Sequence, residues 1–202
     1  MTGELLSPDE PADIRVVYDR RVWLRGPTTD VDLEDWSAAA AREVIDRFDE
    51  ADEERDHSLT QLTAMVRRFV GAKRPDVSER FLLTGDLSIT PVIAEMYFTV
   101  GLPEHVAAEN VLRFDTDQRY YDPPRGTVVD ERSGLVRIDR ALVDEHGRLA
   151  VLRRYHRRVQ SMATDIVVVS DGADLRAATL AQPLLDSLVA SVRVIGPDGQ
   201  EW

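Results

Sequence analysis

Four consecutive apolar residues, Ile166 to Val169, constrain this chain more than any other stretch. Successive side chains of a β-strand point to opposite faces, so a strand that is apolar at every position needs cover on both sides. Ile and three Val in a row also favour strand over helix, because branching at Cβ suits the pleated surface. The strand TDIVVVS (Thr164 to Ser170) is therefore expected near the centre of a sheet with a layer on each face.

The flanking sequence extends this frame. LVRIDRALV (Leu135 to Val143) and LAVLRRYHRRV (Leu149 to Val159) read as two earlier strands of the same meander, with DEHG (Asp144 to Gly147) and QSMA (Gln160 to Ala163) as turns. A closing helix lies within LRAATLAQPLLDSLVASV. Its apolar face is expected on the ladder Leu180, Leu184 and Leu188, with Leu185, Val189 and Val192 adjoining. Pro183 is expected to start the main helix after a turn from Asp174, since proline suits a first helical turn. GPDGQEW then forms a surface turn.

Upstream, IRVVY (Ile14 to Tyr18) and RVWL (Arg21 to Leu24) predict a hairpin or one interrupted strand, ended by the turn residues of GPTTD. Trp36, Ala40, Val44 and Phe48 recur every four residues, with Ala41 and Ile45 beside them, and predict a helix from Glu34. A second stripe, Leu59, Leu62, Val66 and Phe69, predicts another, stopped by Gly71 and Pro75. Two strands are expected in FLLTGDLSI (Phe81 to Ile89) and VIAEMYFTV (Val92 to Val100). PEHVAAENVL is expected to form a short helix, DTDQRYYDPPRG a loop, and TVVD (Thr127 to Asp130) an edge strand. No repeat or Gly/Ser-rich linker divides the chain. The expected layout is a lead-in over 1–12, one α/β domain over 13–195 and a tail over 196–202.

That order implies an α+β fold, an α/β/α sandwich whose mainly antiparallel, twisted sheet is flanked by helices. The pattern resembles the Mog1/PsbP-type sandwich, and in particular small actinobacterial proteins of that shape. The resemblance rests on LLDSLVASVRV (Leu184 to Val194), IVVVSDGADL (Ile166 to Leu175), SGLVRIDR (Ser133 to Arg140), LAVLRRYHR (Leu149 to Arg157) and Pro91 opening a strand. It runs from about Phe81 onward and consists of apolar patterning rather than chemical motifs. It implies a non-catalytic binding or assembly factor and carries over no site residues. The single lysine, Lys73, among many Arg and Ala is the bias of GC-rich codons and agrees with a bacterial source.

Composition narrows the function classes. With no cysteine, disulfides, thiol catalysis and thiolate metal sites are excluded. A net charge of -12 repels a phosphate backbone and argues against nucleic acid as partner. No apolar run approaches the ~18 residues of a membrane span, and the acidic start lacks the basic and apolar segments of a secretory signal, so a cytoplasmic location is expected.

P-loop, G-x-G-x-x-G, G-x-S-x-G, HExxH and EF-hand patterns are all absent. His105 and Glu109 have helical metal-ligand spacing but no third ligand. His57 beside its acids and the pair Asp115 and Asp117 are equally incomplete. No metal, cofactor or catalytic residue is therefore assigned. Two clusters remain. Arg153, Arg154, Tyr155, His156, Arg157 and Arg158 form a basic run, which the cost of burying unpaired charge places towards solvent at the sheet margin, while LAVL lies inside. Tyr120 and Tyr121, beside Pro123 and Pro124, are interface material on a loop. The leading expectation is a cytoplasmic, non-enzymatic protein-interaction or assembly module that binds a protein, or its own copy, through these two clusters, without cofactor, membrane or nucleic acid. The alternative is a small-molecule binder or hydrolase with a pocket between sheet and helices, in which His156 acts as acid or base near a carboxylate such as Asp139.

Overall fold

The computed structural model describes residues 13–47, 52–72, 76–85, 91–104, 125–143 and 147–202. Their elements, in chain order, are β1 (Asp13–Val16), β2 (Trp23–Arg25), α1 (Leu33–Ile45), α2 (Asp52–Gly71), β3 (Glu79–Leu83), β4 (Ile93–Val100), β5 (Arg125–Asp130), β6 (Leu135–Val143), β7 (Leu149–Val159), β8 (Thr164–Asp174), α3 (Leu175–Ala190) and β9 (Val192–Ile195). A short 3-10 turn, Gln160–Met162, links β7 to β8.

The fold is α+β with an antiparallel sheet of order β2-β3-β4-β8-β7-β6-β5. β8 takes the middle place because Ile166, Val168 and Val169 are apolar on both faces, and all three are buried. The meander β6-β7-β8 has the predicted boundaries for its first two strands, and β5 forms the expected edge. A second, two-stranded sheet joins β1 to β9, with Asp13 opposite Ile195.

Helices lie on both faces. One face carries α1 and α2. The α1 stripe, Ala40, Ala41, Val44 and Ile45, and the α2 stripe, Leu62, Val66 and Phe69, close over Leu24 and Leu82 of the sheet. Asp32 caps α1 by accepting from the Asp35 N–H at 2.9 Å, and Glu34 and Asp35 suit the positive end of the helix dipole. Arg80 of β3 is buried against α2, its guanidinium 4.7 Å from the Phe69 ring centre, where it donates to the Phe69 carbonyl.

The opposite face carries α3, whose Ala177, Ala181, Leu185 and Leu188 pack on Met96, Tyr155, Ile166 and Val168. The Leu ladder holds only in part: Leu188 and the adjoining Leu185, Val189 and Val192 are buried as expected, but Leu180 is 48% exposed and Leu184 36%, and Ala177 and Ala181 take the inner positions. Small alanines let the helix approach the sheet, so size alone misjudged the inner face. Nor does Pro183 start the helix. Asp174 does, accepting from the Ala177 N–H at 2.8 Å, and the helix runs on through Pro183. The predicted hairpin is also corrected: β1 pairs with β9 and β2 with β3. Phe48, Leu87, Ile89 and residues 105–124 of the predicted helix and loop lie outside the described residues, while Arg125 and Gly126, expected in that loop, belong to β5. Among the described residues no helix is long and apolar enough to cross a membrane.

Candidate functional site: the arginine strand and the cavity at its end

The basic run does not hang out at the sheet margin. It occupies the second half of β7, paired on one side with β6 and on the other with β8. Alternation splits it into two rows. Arg153, Tyr155 and Arg157 face α3 and are 5%, 0% and 6% exposed; Arg154, His156 and Arg158 face the other way and are half-buried. Neighbouring strands bring Asp139 to Arg153 and Asp165 to Arg158, which offsets the penalty that would place those two in solvent.

The α3-facing row is a network under the helix. Arg153 Nε reaches Asp139 Oδ1 at 2.7 Å, and its Nη1 donates to the Ala178 carbonyl at 2.9 Å. Arg137, opposite Tyr155 in the register, bridges Asp139 and Asp186, each at 2.9 Å. The Tyr155 hydroxyl donates to Asp186 Oδ1 at 2.7 Å. Burial opposes the Arg137 charge, but the Asp186 and Asp139 carboxylates outweigh it and hold the guanidinium above its ordinary range. Burial, then the hydrogen bond to Asp186 and its negative charge, pushes the Tyr155 phenol well above its usual value, against the pull of Arg153 and Arg137. These groups fasten α3 to the sheet.

On the opposite face His156 Nε2 lies 2.9 Å from Asp165 Oδ1, and Arg158 Nη1 lies 2.6 Å from the other oxygen. Arg158 Nη2 also donates to the Leu102 carbonyl at 2.8 Å. The carboxylate beside His156 is thus Asp165 and not Asp139. Asp139 pairs in register with Arg153, and the two-residue period puts it on the other face from His156. The residues paired with His156 on the flanking strands are Val136 and Val167, so those positions offer no second acid, base or nucleophile. The geometry orients an imidazole and equips it with no reaction partner there.

Arg157 differs from its neighbours in β7. It donates to the Val192 carbonyl at 3.1 Å, and among the described residues it has no ion-pair partner. It borders an open cavity of about 900 Å³ where β7 runs out. Arg132 and Ser133 of the β5-β6 turn, Ser161 after β7, Arg193 of β9 and Trp202 also line it. Burial, and next the Arg193 cation, hold the Arg157 guanidinium below the ordinary arginine range, with only Asp130 pulling the other way. The Asp130 carboxylate is engaged in its own turn. It accepts from the N–H of Arg132 at 3.1 Å and from the N–H and hydroxyl of Ser133 at 3.3 and 2.5 Å. Arg193 caps the end of α3 by donating to the Ala190 carbonyl at 2.7 Å.

Of the predicted partner-binding residues, the structure therefore brings Arg157 and Arg158 to a cavity and places Arg153 and Tyr155 inside the fold. Tyr120 and Tyr121 lie outside the described residues, as do His105, Glu109, Asp115, Asp117 and the side chain of His57. Arg132 and Arg193 were missed. Each stands alone in its segment, and only the fold collects them. Among the described residues no group of three His, Asp or Glu could hold a metal ion. No protein-family model matches the chain, and no curated protein matches it either.

Proposed function

We propose that this chain is a non-enzymatic module that captures a protein partner carrying negative charge, at the arginine-lined cavity where β7 ends. One observation carries the reading: a protein of net charge -12 gathers Arg132, Arg157 and Arg193 around one open cavity. Such a local positive field in an acidic molecule attracts acidic groups that come within reach of it. The layering of helices on both faces of an antiparallel sheet fits the Mog1/PsbP-type shape, for which the resemblance implies a binding or assembly role.

The structure also changes which variant tests this. Replacing all four arginines of the run would remove Arg153 from Asp139 and Arg158 from Asp165, both buried or half-buried pairs, and so perturb the fold as well as the surface. Arg132 and Arg193 have no ion pair among the described residues. The tagged protein and its Arg132→Ser/Arg193→Gln variant should keep the same far-ultraviolet dichroism. A stoichiometric partner captured from a lysate of the source organism by the first should be missing from the second. Equal capture by both would refute the assignment of the surface.

A further inference from the structure

We infer that the cavity is a phosphoryl site and that the group it takes is a phosphorylated side chain of the partner. This inference deepens the reading above and rests on it. Four arginines line the cavity; Arg158 is paired with Asp165, and the other three come from three separate elements: Arg132 from the β5-β6 turn, Arg157 from β7 and Arg193 from β9. A carboxylate is planar and is best held by one or two guanidinium forks in its plane. A phosphoryl group presents three oxygens in a pyramid and so can engage arginines that approach from three separate elements.

The charges agree. Asp130 is the acid that acts on Arg157, and it is already occupied by hydrogen bonds within its turn. Three arginines against the two carboxylates that line the cavity, Asp130 and Glu201, leave about one net positive charge, the sign that an incoming phosphoryl group requires. Glu201 is exposed. Arg157 is 6% exposed and has only a carbonyl to bond. A buried guanidinium in that state is costly to keep unless an anion meets it. A volume of about 900 Å³ admits a phosphorylated side chain together with adjoining backbone, and Trp202, 41% exposed at the margin, offers a surface for it to lie on.

The test titrates the purified protein with inorganic phosphate, O-phosphoserine and acetate by isothermal calorimetry and by thermal melting. Phosphate and phosphoserine should bind and raise the melting temperature, with acetate at least tenfold weaker, on the order of one lost charge-assisted bond. Arg157→Met should weaken phosphate about 10- to 100-fold. Its melting temperature without phosphate should equal or exceed the parent's, because no carboxylate is orphaned. An arginine that served structure alone would instead lower it. Arg132→Gln, on an exposed turn, gives a second variant that keeps the fold and should also weaken phosphate. Acetate binding as tightly as phosphate, or no phosphate binding at all, overturns the inference even if partner capture still depends on Arg132 and Arg193. Phosphatase treatment of the lysate should abolish capture. Capture that survives phosphatase but is lost in the Arg132/Arg193 variant overturns the phosphorylated partner and leaves the protein-binding reading standing.

Discussion

Tyr155→Phe tests the network under α3 most sharply, because it removes one hydroxyl from a side chain that is fully buried. The lost bond is charge-assisted, from the phenol to Asp186 at 2.7 Å. Hydrogen bonds to charged groups contribute about 1.5 to 3 kcal/mol. Asp186 keeps both contacts from Arg137, at 3.0 and 2.9 Å, so it is not left unsatisfied, and the lower part of that range, about 1.5 to 2 kcal/mol, is expected. In a chain of this length that lowers the melting temperature by about 3 to 8 °C. A pH series adds a second signature. The folded phenol holds its proton more tightly than the unfolded one, whose value is near 10.0. Below pH 10 both states are protonated and the stabilisation is complete. Above it the unfolded state loses a proton that the native state keeps, so stability falls by about 1.4 kcal/mol per pH unit. The Phe variant lacks that slope. Its urea-unfolding free energy, followed by circular dichroism, should lie below the parent's at pH 8 and meet it near pH 11 to 11.5, by the same linkage. Parallel curves through pH 12 would refute the argument that burial against Asp186 controls this phenol.

Two further outcomes test the packing and the opposite face. Leu185→Ala, at a site 1% exposed, should cost about 2 to 5 kcal/mol, whereas Leu184→Ala beside it should cost under about 1. Urea denaturation of the pair decides which stripe of α3 faces the sheet. Asp165→Ala should cost about 3 to 5 kcal/mol, because it leaves the half-buried Arg158 without its carboxylate. A double-mutant cycle with Arg158→Met measures that coupling, and a coupling near zero would show that the pair contributes little.

The layers were legible where a pattern is local. Ile166 to Val169 announced a central strand, and the stripes of α1 and α2 announced their helices, because the two- and 3.6-residue periods are written in neighbouring residues. Register is not written there. Asp139 and Asp165 both sit one strand from β7, and only the pairing decides that one meets Arg153 and the other His156. Treating charge as a sign of solvent therefore misplaced Arg153 and Arg157. The same limit hid the cavity, since Arg132 and Arg193 are ordinary surface residues until the β5-β6 turn and β9 are brought to the end of β7.

The pairing of β1 with β9 has a consequence for synthesis. Ile14 meets Val194 and Val16 meets Val192, so the first described strand finds its partner in the last. On the ribosome, chains emerge from the N-terminus at about 5 to 20 residues per second. For most of translation β1 therefore waits with its hydrogen-bonding groups unmatched, while the meander and α3 are still being made. Contacts so distant along the chain are the slow ones to form. The two-stranded sheet thus cannot form until β9 has emerged, and until then β1 is open to wrong pairing.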